Sequence, residues 1–166
     1  MNHPNYQYAK EQAEKVLQEN YISSWPVPVE ELVEFEGLGL IHTEFEDGDI
    51  AGVINLEKKY LYINQADSIQ RQRFTIAHEL AHWLLHKDAM QENNMLAVLY
   101  RKPLGKDEED PLEKEANCFA ANLLVPDFML NQAIAIEGSN ASDSRLAHIF
   151  NVSIPVIGYR RKFLGI

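Results

Sequence analysis

The chain has 166 residues, 46% of them apolar, which is enough to bury the core of one domain. A net charge of −10 argues against a broad basic surface for nucleic acid or anionic lipid, and a single cysteine, Cys118, excludes an internal disulfide framework and an all-thiolate metal site. The opening MNHPNYQYAKEQAEKVLQEN lacks the apolar core of a signal peptide and no run is apolar enough to span a bilayer, so a soluble, cytoplasmic protein without membrane association is expected.

In chain order, Tyr8, Ala9, Ala13, Val16 and Leu17 recur at helical spacing and predict a helix over residues 5 to 20. WPVPVE breaks it, and Pro28 opens a short helix to about Glu36, stopped by EGLG. LGLIHTEF, IAGVINL and KYLYINQ read as three strands of an antiparallel meander, with turns at Asp47-Gly48-Asp49 and Glu57-Lys58. RFTIAHELAHWLLH follows as a helix. The connection 88–110 is too long to be idle; its MLAVLY segment is an edge strand or a lid, and its acidic KDEED is a solvated loop. Pro111 begins a helix that ends at Pro126, and short helices are predicted over 127–135, 142–150 and 154–163. The fold class is α+β, in a single domain 1–166 with residues 137–166 a candidate C-terminal helical subdomain.

Wound at about 100° per residue, the stretch from Arg71 to His86 is apolar over an arc of roughly 200°. Its remaining stripe carries Arg71, Thr75, His78, Glu79, His82 and His86. A solvated stripe would favour Lys, Arg and Glu, whose charges hydrate well, whereas this one is crowded with imidazoles. His78 and His82 are one turn apart, about 40° around the axis, so both rings reach a single ion. Glu79 points to the side, where a carboxylate can take a proton from water without displacing it. The bland alternative is a core helix with incidental histidines.

Catalytic zinc takes three protein ligands. His86 sits two turns from His78, too far for a straight helix to bring all three rings to one ion. It is expected to support the site indirectly or to act as a cation at a helix C-terminus. The second helix is the better source: Ala116, Phe119, Ala120, Leu123 and Leu124 define its buried face, and Glu113 borders that face beside two small alanines. Asp110, Pro111 and Glu113 also fit a helix-capping box, which competes with a ligand role for Glu113; Glu115 is the fallback ligand. Cys118 faces away from Glu113 and reads as an inert thiol.

TIAHELAHWL is similar to the extended signature of the zincin metallopeptidases. RFTIAHELAHWLLH and EKEANCFAANLLVP in this order, with PVPVEELVEFEGLGL upstream and LAHIFNVSIPVIGYRRKFLGI at the end, resemble the ImmA/IrrE family of zinc metallopeptidases. The resemblance runs from about Pro26 to the C-terminus. It implies a zincin-like fold, a small antiparallel sheet packed on the histidine helix and a second ligand-bearing helix. It also implies zinc on His78, His82 and Glu113, with Glu79 as general base and Asn117 as a contact to a ligand imidazole. Family members are often encoded beside a helix-turn-helix repressor that they inactivate by cleavage, which makes such a repressor the expected protein substrate.

Two rivals belong to other classes. SRLAHIFNVSIPVIGYRRKF, with Arg145, Arg160, Arg161 and Lys162, has the rhythm of a DNA-binding helix-turn-helix, but the acidic whole disfavours direct nucleic-acid binding. A zinc-bearing sensor or toxin/antitoxin partner that binds a repressor without cutting it would carry the same site residues.

Overall fold

The computed structural model describes residues 3–93, 97–101 and 110–166. The acidic run 106–109 and Met95–Leu96 of the MLAVLY segment lie outside the described residues. The architecture is α+β. Helix α1 (Tyr6–Glu19) leads to α2 (Val29–Phe35), then strands β1 (Gly39–Thr43), β2 (Ile50–Asn55) and β3 (Tyr60–Asn64). Helix α3 (Ile69–Ala81) continues through a π-turn (His82–His86) into α4 (Lys87–Glu92), and β4 (Ala97–Arg101) follows. Four helices complete the chain: α5 (Pro111–Leu124), α6 (Asp127–Glu137), α7 (Asp143–Phe150) and α8 (Ile154–Leu164).

The sheet corrects one expectation. Its order is β1-β3-β2-β4, and β1 pairs with β3 in parallel, from Gly39 beside Tyr60 to Thr43 beside Asn64, so the sheet is mixed and not a simple meander. Two local features explain this. The β2–β3 connection is short and self-capped: the Asn55 side chain accepts from the Lys58 N–H at 2.9 Å, and Lys59 takes a positive φ of 58° to close it. The β1–β2 connection, residues 44–49, is longer and carries β2 past the place beside β1, which β3 fills. Gly39 then admits Tyr60, because a Cβ on Gly39 would fall 2.2 Å from the Tyr60 ring. The Ala97–Arg101 part of the long connection is the outer strand β4, antiparallel to β2. It takes up the edge of β2 that a bare meander would have left open.

Helices α1 and α3 pack on α5. Ala9, Ala13, Val16 and Leu17 of α1, Ala116, Phe119 and Ala120 of α5, and Ile76, Ala77 and Leu80 of α3 are all buried in one apolar cluster. Small residues on all three helices let the axes approach closely, which is what brings their polar positions within reach of one another. Leu80→Ala would open a cavity here and cost about 2–5 kcal/mol. On the other face of α3, Gly52 of β2 lies so close that a Cβ would sit 2.5 Å from Thr75 Cγ2, so the absence of a side chain lets the sheet settle on the helix. The C-terminal helices add Leu146, Phe150 and Ile157 to the same apolar cluster. Arg73 of α3 ties the end of α7 to the segment before α2 by donating to the carbonyls of Asn151 and Val27 at 3.1 and 2.8 Å. Among the described residues no single helix is long and apolar enough to cross a membrane.

Candidate metal centre

Ser68 caps α3 by accepting from the Arg71 N–H, and every residue from Thr75 to Ala81 is buried. The polar stripe of this helix therefore faces protein, not water. Opposite it, Asp110 caps α5 through the Leu112 N–H at 2.9 Å with Pro111 in the first turn. Glu113 is thereby set in the first turn of α5, where a negative charge suits the helix dipole. The capping reading and the ligand reading are compatible: Asp110 does the capping, and Glu113 reaches across to α3.

Glu113 Oε2 lies 3.1 Å from His78 Nε2, and its Oε1 lies 3.1 Å from His82 Nε2. The two Nε2 atoms are 3.0 Å apart. The three side chains thus form a compact triangle of donors, each ring facing its own Glu113 oxygen, and offer two nitrogens and a carboxylate to a single ion. Among the described residues these are the three that converge in this way. Glu113 is held well below the usual carboxylate range: burial opposes this, but the hydrogen bonds and charges of His78 and His82 outweigh it. Burial pushes the His82 imidazole down, against the pull of Glu113, so the ring favours its neutral, ligating form.

Glu79 is fully buried beside this triangle, and neither of its carboxylate oxygens has a hydrogen-bond partner. Burial, and then the charge of Glu113, raise its pKa well above the ordinary value. The Ile54 main chain on β2 pulls it back in part without reaching hydrogen-bond geometry. A buried orphan acceptor next to three convergent ligand atoms fits a cation with an associated water, and the donor set of two imidazoles and a carboxylate fits zinc.

The outer contacts sort the remaining candidates. His78 Nδ1 donates to Asn117 Oδ1 at 2.9 Å, the contact expected for Asn117. His86 lies against His82 and is not a free cation at a helix end: its Nδ1 is 3.0 Å from His82 Nδ1, and burial keeps the ring below the usual histidine range against the pull of Glu115. Glu115, the fallback ligand, lies outside the triangle and accepts from His86 Nε2 at 2.9 Å. The π-turn and the role of Glu115 were not visible in the sequence; the only signal was the second four-residue spacing, His82 to His86. Cys118 is buried with its pKa raised by that burial, away from the triangle and beside the Tyr6 carbonyl.

A sequence model of the IrrE N-terminal-like domain matches residues 33–162, most of the chain and all of this site. The chain belongs to that family, the ImmA/IrrE family. Metallopeptidase ImmA of Bacillus subtilis (strain 168) is 36% identical over 122 residues, covering 71% of this chain and 66% of that protein. Uncharacterized immunity region protein 2 of Bacillus phage phi105 is 30% identical over 118 residues, covering 63% of this chain and 68% of its own length. In three dimensions a Mycobacterium tuberculosis transcriptional regulator superposes with a TM-score of 0.67 over 92% of this chain and 54% of its own, at 16% identity, which supports the family fold.

Arg145, Arg160 and Arg161 of the C-terminal helices are engaged internally. Arg145 makes a two-pronged contact with Glu137 at 2.8 and 3.0 Å, Arg161 pairs with Asp143 at 2.8 Å, and buried Arg160 binds Asp127 and the Val125 carbonyl.

Proposed function

We propose that the chain is a zinc-dependent metallopeptidase that hydrolyses a peptide bond in a protein substrate. The observation that carries this reading is the convergence of His78 Nε2, His82 Nε2 and Glu113 beside the unpartnered carboxylate of Glu79. Zinc held there would polarise the scissile carbonyl and acidify an attacking water. The chain's own work is proton handling. Glu79 takes the proton of the attacking water as the new C–O bond forms, and gives it to the amine as the C–N bond breaks. Burial is suited to both steps, because it raises the carboxylate's proton affinity toward the working pH and keeps bulk water from short-circuiting the transfer. His78, His82 and Glu113 hold the ion, and Asn117 orients His78.

An extended substrate segment would pair along the sheet by main-chain hydrogen bonds. Strand β4, on the β2 side of the sheet that rests on α3, offers the outer edge for it. Such a groove takes a linker or an unfolded strand, not a folded domain. Similarity to a phage immunity-region protein and to ImmA supports a regulator inside the cell as the substrate, and a helix-turn-helix repressor encoded nearby is the first to test. The internal pairing of Arg145, Arg160 and Arg161 supports a protein partner over direct DNA binding.

The test is to mix zinc-loaded protein with that repressor, with and without chelator and with the Glu79→Gln variant, and to map products by mass spectrometry. Chelator-sensitive cuts that Glu79→Gln abolishes are expected. A repressor that binds yet stays intact under every inducing condition would identify a zinc-bearing sensor instead.

A further inference from the structure

Two imidazoles in the candidate metal centre are oriented by different means. At His78 one neutral amide does it: Asn117 Oδ1 can only accept, so Nδ1 carries the proton and Nε2 presents its lone pair to the triangle. At His82 the orientation comes through a longer chain whose direction can be worked out link by link. The main-chain N–H of Asn5, at the start of α1, donates to Glu115 Oε1 at 2.6 Å. A carboxylate accepts only, so Glu115 Oε2 takes the proton of His86 Nε2 at 2.9 Å. A neutral His86 protonated on Nε2 has a bare Nδ1. His82 Nδ1, 3.0 Å away, must therefore donate, which leaves the His82 Nε2 lone pair facing Glu113 and His78.

We propose that Glu115 is a positioning residue for the metal centre, acting through His86 on His82, and that the Asn5 N–H fixes Glu115 in that role. The inference rests on the reading of His78, His82 and Glu113 as metal ligands. It adds that a segment ahead of residue 33, where the family match begins, sets the proton position on one of them. The geometry leaves Glu115 few other uses. Its side chain is 13% exposed, it sits on an almost wholly buried imidazole, and its second oxygen is taken by a main-chain donor 110 residues away in sequence. That donor belongs to the residue that also caps α1, accepting from the Tyr8 N–H, so the docking of α1 on α5 and the polarity of the chain come together.

The experiment separates the N–H from the cap. Asn5→Pro removes both the N–H and the capping side chain, whereas Asn5→Ala removes only the side chain. Zinc affinity is measured on the full chain by competition with a chromophoric chelator. The ring tautomers of His82 and His86 are read from long-range proton–nitrogen NMR of the same samples. Glu115→Ala and Asn5→Pro are each expected to weaken zinc about 10- to 100-fold, the range for lost outer contacts of a ligand histidine. Asn5→Ala stays near wild type, and Asn5→Pro combined with Glu115→Ala does no more than Glu115→Ala alone. Glu115→Gln, which keeps the volume but offers one acceptor in place of two, falls between. The zinc-loaded wild-type spectrum should show His82 protonated on Nδ1 and His86 on Nε2. Glu113→Ala is the control for the underlying reading: if it binds zinc as wild type does, the ligand set itself is wrong. If Glu113→Ala loses zinc while Glu115→Ala and Asn5→Pro keep wild-type affinity, the ligand set stands and the positioning role is overturned. In the zinc-loaded wild type, His86 protonated on Nδ1 instead of Nε2 overturns it equally.

Discussion

Two regions of the molecule use similar residues to opposite effect. Helices α6 to α8 bring Arg145, Arg160 and Arg161 against Glu137, Asp127 and Asp143, so that each cation meets a carboxylate. Between α3 and α5 the partners are acceptors facing acceptors: two imidazole nitrogens and a carboxylate at about the same mutual distance, with a second carboxylate bare beside them. Cancelled charge fastens helices together. Convergent lone pairs leave the site short of positive charge, and in the metal-free protein only protons can supply it. A site is marked by that mismatch more than by residue type, which is why the arginine-rich C-terminus resembles a recognition surface in sequence and does not in structure.

The comparison breaks most sharply at His82. His82→Ala and Glu113→Ala should take the protein from about one zinc per chain to almost none, read by metal analysis. Full retention by either would show that the triangle is not the site. Glu79→Gln should keep the metal and lower hydrolysis by roughly a hundredfold or more, the scale of a lost general base. It has a second signature in the metal-free protein. Folding raises the Glu79 pKa above 4.5, so between that value and the folded pKa the native state holds a proton that the unfolded chain releases, and stability falls as pH rises. Glu113, whose pKa is lowered, does the reverse: its contribution is present above 4.5 and is lost as pH falls. Chelated Glu79→Gln should therefore gain in Tm over chelated wild type, by an increasing margin as pH rises from about 4.5 toward neutrality. A margin that shrinks with pH would contradict the assignment.

The C-terminal end gives smaller effects that leave metal binding alone. Arg160→Met takes the buried cation from Asp127, which keeps Lys10 as a partner, and should cost about 1.5–3 kcal/mol by urea unfolding with zinc affinity unchanged. Arg145→Ala removes an exposed pair and should leave both Tm and metal content indistinguishable from wild type.

Much of the site was legible because it is local. The His78–His82 spacing and Glu79 follow from one helical repeat, and the apolar face of α5 placed Glu113 at its border. Helix arithmetic on separate helices goes no further, since it treats each as straight and alone. It could rank Glu113 above Glu115, but it could not say that Glu115 meets His86, because that contact depends on the π-turn and on α1 lying across α5. The strand order was hidden for a similar reason. IAGVINL and KYLYINQ carry the β2–β3 hairpin in their own turn, whereas the parallel placement of β1 is decided by Gly39 under Tyr60, a contact between segments. Asn117 was accessible only through family likeness, and the structure places it on His78.

The π-turn has a further consequence for how the histidine helix is wound. One residue more than an α-helical ladder accommodates is taken up between His82 and His86, so everything after it is rotated by about 100° relative to a continuous helix. Ahead of this phase slip α3 buries Ile76, Ala77, Leu80 and Ala81; after it α4 buries Met90, and Lys87 lies over the Trp83 ring at 4.2 Å. The slip lets one run of sequence bring both the apolar residues of α3 and Met90 of α4 into the same buried cluster. Deleting a single residue from 83–85 would bring the two halves back into phase, swing Met90 away from the core and move His86 to three residues after His82, while the His78–Glu79–His82 spacing stayed untouched.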